Sequence, residues 1–451
     1  MTDNKKALEY SQKWLDIIHK ETVDMTEAQW ISKETTNNFV DHFNAGWVKY
    51  RKSATEGVES GESVTEWRGK GSKFYDVQGN EWLDFLGGYG ALDLGWSHPE
   101  VVKAVQAQAG KSGIPTQELM DPLRGALANL ITQIAPGDID HAFFVSSGTE
   151  TIEGALKIAR LHTKKHAFIA TVKAFHGKTS GSLAMMGKKD YREAMQPFGT
   201  QVFHVPFGDA DALRKQLEIC DIIGIGIAGF IAEPIQGEAG AIVPPDNYWP
   251  EVRKICDDFG ILLIADEVQT GLCRTGKMWG VDHWGIVPDI MCVAKSLGGG
   301  VMPAAAFIGK KEIWKAFEEP NPFMHTTTTG GNPLACAAAI ATINVMLKGD
   351  IAQKSAEMGN YFMGELNKIA TQYDDIYDKI TGKGLLIGQH FKDSDVGYQV
   401  AAGLFKRKVL VAGTLINAQV IRFEPPLIVT REEVDDVLNR LRDTLKEITG
   451  R

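Results

Sequence analysis

The sequence predicts an α/β protein built on a mostly parallel central sheet, with a second, smaller α+β lobe. Between about residues 140 and 310, short apolar runs recur, and each leads into a polar or glycine-rich turn and then a helical pattern. Strands that alternate with helices in this way form parallel sheets covered on both faces. The runs are HAFFVSS, HAFIATV, QVFHVPF, AGFIAE, ILLIADE and DIMCVAK. A chain of 451 residues is long enough for both lobes.

Residues 1–75 are predicted to be an N-terminal helical segment. To about residue 60, large apolar side chains recur at helical spacing, which predicts amphipathic helices whose apolar faces anchor the core or an interface. These side chains are Leu8, Trp14, Leu15, Ile18, Phe39, Phe43 and Trp47. In KFYDVQGNEWLDFLGGYG, two alternating stretches around Gly79 then predict a hairpin that leads into a glycine-rich loop.

The rest of the chain is predicted to form a large domain over residues 76–335 and a small C-terminal domain over 336–451. The small domain begins in the helical stretch NPLACAAAIATINVM and ends in the amphipathic helix REEVDDVLNRLRDTLKEI. Between these helices, KGLLIGQHF, VLVAG and QVIRFEPP are predicted strands.

The composition excludes several classes of protein. A net charge of -9 speaks against nucleic-acid binding, which usually needs a basic face. The sequence contains no run of about 18 apolar residues, which a membrane-spanning helix would need. Its N-terminus lacks the apolar core of a secretory signal. The five cysteines are widely spaced, without a C-x-x-C pair. They predict buried thiols in a cytoplasmic protein, rather than disulfides or a metal site.

Three motifs place chemically useful groups at the ends of predicted strands. In VSSGTETIEGALKIAR, Gly148 and Thr149 lie at a helix N-terminus, which favours a phosphate, although an ordinary helix cap has the same pattern. ILLIADEVQTG ends a buried strand in Asp266 and Glu267, so at least one carboxylate is expected at the ligand-binding edge, where it needs a cationic partner. Taken alone, the motif fits a strand-end turn or a helix cap better. In DIMCVAKSLGGG, Lys295 ends an apolar strand, where desolvation would make its amine a nucleophile and base.

A set of motifs then carries a specific resemblance. SSGTE, AFHG, EPIQGEAG, ADEVQTG, RTGK, PDIMCVAKSLGGG and TTGGNPLA stand in the order and spacing of one family. From the YDVQGNEWLDF hairpin to RFEPPL, the chain resembles the class III, fold-type I aminotransferases that depend on pyridoxal 5'-phosphate (PLP). The resemblance implies a PLP cofactor and a homodimer with shared active sites, and it leaves open whether two dimers pair into a dimer of dimers.

The resemblance also implies roles in cofactor binding. Lys295 would bind the cofactor covalently and act as the catalytic base, and Asp266 would pair with the pyridine nitrogen. Phe175 would stack on the ring, and Gln269 would hydrogen-bond near its 3-hydroxyl group. Thr328 would reach the phosphate bound by the neighbouring subunit. The implied cofactor-binding residues are Gly148, Thr149, Phe175, Asp266, Gln269, Lys295 and Thr328.

Three further residues are implied at the substrate. Glu238 and Arg422 are similar to the family's carboxylate-handling pair, in which arginine takes the substrate carboxylate and glutamate masks its charge when a carboxylate-free amine binds. Tyr89 lies in a loop that resembles the family's substrate-facing loop. Segments such as IPTQELMDPLR and VLVAGTLINAQVIRFEPPL are most similar to the bacterial diamine (putrescine) aminotransferases of this family.

These likenesses predict transamination from putrescine or cadaverine to 2-oxoglutarate, giving an amino-aldehyde and glutamate. Ornithine or another ω-amino acid is the alternative donor, because the same motifs serve both, and the Tyr89 hydroxyl suits a polar donor. Two other classes stay open: a PLP-binding protein without transaminase turnover, and a PLP aminomutase or decarboxylase. Net transfer of the amino group to 2-oxoglutarate would exclude both.

Overall fold

The computed structural model describes residues 4–54 and 64–451. The helical character predicted for residues 1–3 and 55–60 lies outside the described residues. The N-terminal helices are α1 (Asn4–Ile18), α2 (Met25–Asn38) and α3 (Ala45–Ala54), with a π-helical stretch from Phe39 to Asn44.

The apolar faces of these helices are only partly buried in the single chain. A small core forms around Ile17, Ala28, Ile31 and Val77. Several of the predicted anchors are exposed instead: Leu8, Leu15, Ile18, Phe43 and Trp47. A core position is therefore wrong for these five. In α1, the buried face carries Ile17, and Leu8, Leu15 and Ile18 lie on the exposed side. Their alternative role as interface anchors stays a prediction.

The first sheet has the order β1-β2-β3-β13. Its strands are β1 (Glu66–Lys70), β2 (Lys73–Asp76), β3 (Glu81–Asp84) and β13 (Val409–Leu410). The predicted hairpin is confirmed, since β2 and β3 pair antiparallel and the turn between them contains Gly79 at φ 86°. The glycine-rich loop that follows forms one short turn, α4 (Gly87–Gly90), in which all four residues have positive φ.

The central sheet has seven strands in the order β4-β10-β9-β8-β7-β5-β6. Strands β5 to β9 are parallel, and β10 runs antiparallel to both of its neighbours. The six apolar runs are confirmed as β4 (His141–Val145), β5 (Ala167–Thr171), β6 (Val202–Val205), β7 (Ile227–Ala232), β8 (Leu262–Asp266) and β9 (Ile290–Val293). Strand β10 (Ala305–Gly309) was not predicted, because its short run is rich in alanine, which is depleted in strands.

Helices cover both faces of this sheet, and a third sheet lies in the C-terminal part. The helices are α5 (Pro99–Ala109), α6 (Pro122–Gln133), α7 (Gly148–Thr163), α8 (Ser180–Met185), α9 (Lys189–Arg192), α10 (Ala210–Ile222), α11 (Tyr248–Phe259), α12 (Lys311–Glu318), α13 (Pro333–Lys348), α14 (Ile351–Gln372), α15 (Ser394–Lys406) and α16 (Arg431–Thr449). The third sheet has the order β11-β12-β15-β14, with β11 (Tyr377–Lys383), β12 (Leu386–Phe391), β14 (Ala412–Gly413) and β15 (Val420–Phe423).

One predicted strand is corrected. VLVAG does not form a single strand of the small lobe: β13 pairs parallel with β3 in the first sheet, and β14 pairs with β15 in the third. The run passes from one sheet to the next, so its apolar residues pack in two places. It joins the N-terminal hairpin to the C-terminal part. The domain boundaries at residues 75 and 335 stay predictions.

All five cysteines are buried and free, as predicted. Within residues 4–54 and 64–451, no single helix has the length and apolar character needed to cross a membrane. Helices α13 and α14 meet that criterion only as a pair, with a bend of 65° between them.

Candidate active site

Chain segments at the ends of five strands of the central sheet, β4, β5, β7, β8 and β9, meet at a cavity of about 220 Å³. Most of the predicted site residues line it: Gly148, Thr149, Phe175, Glu238, Asp266, Gln269 and Lys295. Polar groups collect here because the carboxyl ends of parallel strands share one edge of the sheet. We refer to Gly148, Thr149, Phe175, Asp266, Gln269 and Lys295 as the cofactor end. Tyr89, Glu238 and Arg422 form the substrate end.

Lys295 follows β9 and opens a short 3-10 turn into the glycine run. Its φ of 47° lies in the left-handed region, which costs a non-glycine residue about 1–2 kcal/mol. Burial lowers the pKa of its amine, and the carboxylate of Glu424 acts in the opposite direction. A neutral amine that reaches a cavity can act as a nucleophile and as a base.

Asp266, at the end of β8, is buried and contacts His176, whose Nδ1 lies 2.7 Å from the Asp266 Oδ2. The backbone N–H of Val268 donates to the other carboxylate oxygen at 3.0 Å. His176 had no role predicted from the sequence, although its place beside Phe175 in AFHG was a signal. The contact with His176 fixes the direction of the Asp266 carboxylate.

Glu267, the next residue, faces away from the cavity. Its carboxylate accepts the N–H groups of Gly280 at 2.9 Å and Val281 at 2.8 Å, and it also accepts the Thr270 hydroxyl. Burial raises the pKa of Glu267 to about 7. Of the two carboxylates that the motif offers, only Asp266 therefore serves the site.

The N-terminus of α7 is open toward the cavity. Ser147, its N-cap residue, makes no capping hydrogen bond, so its side chain leaves the first-turn N–H groups to another acceptor. A Cβ on Gly148 would lie 2.9 Å from a methyl group of Val268, which leaves room only for glycine. The Thr149 hydroxyl is held by Thr179 at 2.8 Å and Ser182 at 2.7 Å. Free N–H groups together with the helix dipole suit a phosphate.

Glu233 holds the Phe175 loop in place and was also unassigned by sequence. One of its oxygens accepts the Phe175 N–H and the other accepts the Gly237 N–H, both at 3.0 Å. Burial raises the pKa of Glu233 to about 7. The carboxyl group therefore ties the AFHG loop to the EPIQGEAG loop.

At the substrate end, Arg422 lies fully buried in β15 between two carboxylates. Its Nη2 is 2.8 Å from Glu238 Oε1, and its Nε is 2.7 Å from Glu424 Oε2. Although burial alone would raise the pKa of Glu238, Arg422 and Lys295 hold it below its ordinary value. The Tyr89 ring lies 5.8 Å from the guanidinium carbon of Arg422. The pair of Arg422 with Glu238 was predicted from the family resemblance, whereas Glu424 was not predicted.

Thr328 does not join the cavity of its own chain. It is exposed, and its carbonyl oxygen accepts a hydrogen bond of 2.7 Å from the Gln117 side-chain amide. Its predicted contact with the phosphate of a neighbouring subunit stays a prediction.

The residues fit the PLP that the sequence resemblance implies. The cavity brings together an amine, an uncapped helix N-terminus, a buried carboxylate and the Phe175 ring. In PLP, the amine would meet the aldehyde and the helix N-terminus the phosphate. The carboxylate would meet the protonated ring nitrogen, and the Phe175 ring would meet the flat face of the cofactor ring.

Comparisons with known proteins show which family the chain belongs to. Residues 58–445 match the family model described as aminotransferase class-III. A putrescine aminotransferase from Pectobacterium atrosepticum is 44% identical over 447 residues, which span 98% of this chain and 95% of that protein. An ornithine aminotransferase structure from Toxoplasma gondii has a TM-score of 0.81 at 29% identity, covering 91% of this chain and 99% of that one. A PLP-bound amine transaminase from an uncultivated Pseudomonas species gives 0.78 at 29%, covering 87% and 97%.

Proposed function

The chain belongs to the class-III aminotransferase family, whose cofactor is PLP, and from this premise we propose that it transfers an amino group from a terminal diamine to 2-oxoglutarate. The donor is putrescine or cadaverine, and the products are an amino-aldehyde and glutamate. The likeness to a putrescine aminotransferase over 98% of the chain carries the choice of donor.

The cofactor end supplies the proton chemistry. Bound PLP provides the electron sink that makes the carbon beside the amino group acidic. The Nζ of Lys295 takes a proton from that carbon, and burial, which lowers the pKa of its amine, favours the uncharged form that accepts a proton. Asp266, oriented by His176, would pair its carboxylate with the ring nitrogen of bound PLP. Phe175 would pack on the ring, and the N-terminus of α7 would hold the phosphate.

The substrate end handles two substrates of different charge. A diamine brings no carboxylate, and the closed pair between Arg422 and Glu238 leaves no unpaired arginine beside it. 2-Oxoglutarate brings a carboxylate, which takes the place of Glu238 on the Arg422 guanidinium. Glu238 lines the cavity, so its side chain has space on that side to move. One arginine therefore serves both halves of the reaction.

We also propose a homodimer with shared active sites. The exposed Thr328 and the exposed apolar side chains of the N-terminal helices support this proposal. Thr328 would then bind the phosphate in the neighbouring subunit. Pairing of dimers into a tetramer stays open.

Ornithine or another ω-amino acid is the second candidate donor, and the likeness to an ornithine aminotransferase structure favours it. The Tyr89 ring lies 5.8 Å from the guanidinium carbon of Arg422, and its hydroxyl group would suit a polar donor.

Visible absorbance of the purified holoenzyme tests the proposal. We expect putrescine to bleach the cofactor band and 2-oxoglutarate to restore it, with glutamate formed in equal amount. A band that responds to ornithine but not to putrescine would select the second donor. Bleaching without recovery, or release of carbon dioxide, would instead point to a PLP protein that does not transaminate.

A further inference from the structure

Glu424 lies just beyond β15, two residues after Arg422, and is fully buried. Because side chains alternate along a strand, residues two apart project to the same side. Glu424 therefore lies beside Arg422, although it does not line the cavity.

Its carboxylate contacts one residue from each end of the site. One oxygen is 2.7 Å from the Arg422 Nε, and the other accepts a hydrogen bond of 2.6 Å from the Gln269 side-chain amide. Gln269 Oε1 is in turn 3.5 Å from Arg422 Nη1. Glu238 pairs with a different nitrogen, Nη2, so the two carboxylates hold different parts of the guanidinium.

The backbone of Glu424 is also fixed. Its N–H donates to the Phe85 carbonyl at 2.9 Å. A Cβ on Gly87, whose φ is 55°, would come within 2.3 Å of the Glu424 carbonyl oxygen. Only glycine lets the loop that carries Tyr89 approach this closely, so the loop and the carboxylate are held together.

We propose that Glu424 is a positioning residue that couples the two ends of the site. It holds Gln269 at the cofactor end and Arg422 at the substrate end. When a keto-acid carboxylate replaces Glu238, Glu424 keeps the guanidinium in place. The part of this inference that concerns Arg422 rests on the proposed function.

Glu424 also shapes the charge around Lys295. The charged groups that act on this amine are Glu424, Arg422, Glu238 and Asp266. Among them, Glu424 most strongly opposes the effect of burial on the pKa of Lys295. A neutral residue at 424 therefore has a spectroscopic consequence that a purely structural role would not produce.

The first experiment is a pH titration of the cofactor's visible band in the holoenzyme. We expect Glu424→Gln to move the midpoint down by about one pH unit, because a negative charge near the titrating nitrogen is lost. Glu424→Asp keeps the charge and leaves the midpoint near that of the wild type. Glu267→Gln is the matched control, since Glu267 is a buried carboxylate that faces away from the cavity.

The second experiment measures contact rather than charge. Aspartate is too short to reach both Gln269 and Arg422, so we expect Glu424→Asp to raise the KM for 2-oxoglutarate about tenfold and to weaken PLP binding by a similar factor. The kcat at saturating 2-oxoglutarate changes less. Glu238→Gln alters the choice between amine and keto acid but leaves PLP affinity unchanged, because Glu238 makes no hydrogen bond to Gln269.

An unchanged midpoint in Glu424→Gln together with unchanged PLP affinity in Glu424→Asp would overturn the inference. Failure of both variants to fold would also overturn it, since the carboxylate would then serve folding. The titration and the PLP affinity need no amine donor. A wild-type enzyme that ignores putrescine or 2-oxoglutarate would therefore contradict the proposed function and leave these two measurements valid.

Discussion

The cofactor end and the substrate end are built in different ways. Residues of the cofactor end follow β4, β5, β8 and β9, which all belong to the central sheet. The substrate end draws on three sheets: Tyr89 follows β3, Glu238 follows β7, and Arg422 lies in β15. The strand ladder fixes the first set, whereas the second depends on how three sheets lie against one another.

Because of this difference, the proton-transfer chemistry and the choice of substrate depend on different parts of the site. Any donor and any acceptor must use the cofactor end, so a change there should impair both halves of the reaction. The substrate end meets the parts of the two substrates that differ, so a change there should impair one half more than the other. Measuring the two half-reactions separately therefore tests the comparison.

The largest effect is expected from Lys295→Ala. We expect transamination to fall by about 10⁴-fold or more, because the variant loses both the covalent hold on the cofactor and the base. Both half-reactions should fail, and the visible band should change. Lys310→Ala is the matched control, a lysine beyond β10 that pairs with Asp289, and it should keep the band. Activity retained in Lys295→Ala would contradict its assignment.

Arg422→Ala should give the next largest effect, confined to one half-reaction. Restoration of the cofactor band by 2-oxoglutarate should slow by about 10²-fold to 10³-fold, because the keto acid loses its partner and Glu238 and Glu424 lose theirs. Bleaching by putrescine should slow much less. Stopped-flow absorbance measures both steps. Equal losses would mean that Arg422 does not select between the substrates.

The sequence predicted the cofactor end more completely than the substrate end, because the cofactor end is built on the strands of a single sheet. SSGTE, ADEVQTG and the Lys295 motif each place a residue at or just after the end of a strand, and the sheet brings those positions together. The family resemblance added Phe175 and Gln269 to this end. At the substrate end, the contact between Glu238 and Arg422 joins residues far apart in sequence, and only the family resemblance suggested it. In the sequence, Glu424 is a glutamate before two prolines, and nothing in that pattern predicts its burial.

His176 and Glu233 were missed for another reason. Each lies within a recognised motif, but the sequence does not show where its side chain turns. The structure shows one bound to Asp266 and the other to two backbone N–H groups. The division of VLVAG between two sheets was missed because hydrophobic alternation does not identify a strand's partner.

His176→Phe should have a moderate effect that is equal in both half-reactions. Loss of a hydrogen bond to a buried carboxylate should lower PLP affinity and turnover about tenfold. Titration of the cofactor-free enzyme with PLP measures the first, and stopped-flow absorbance measures the second. His141→Gln is the control, because His141 makes the same 2.7 Å contact with Asp140 at an exposed site. An effect on only one half-reaction would instead mean that His176 acts in substrate binding.

Glu267→Gln should leave catalysis nearly unchanged and alter stability instead. Burial raises the pKa of Glu267 to about 7 from its ordinary value near 4.5, so the folded protein holds this proton where the unfolded chain releases it. The group therefore reduces the free energy of unfolding as pH rises from 4.5 to 7, by at most about 3 kcal/mol. Glutamine has no proton to lose, so the variant should lack this decline, while Glu233 contributes to both proteins.

Guanidinium unfolding of the two PLP-saturated proteins at pH 5 and pH 8 measures the difference in unfolding free energy. We expect the variant to gain relative to the wild type at the higher pH, because only the wild type then carries a buried charge at this position. Parallel pH dependence would show that Glu267 ionises in the folded protein as it does in the unfolded chain. Together with a loss of activity in Glu267→Gln, that result would place both carboxylates of ADEVQTG in the site and remove the distinction between Asp266 and Glu267.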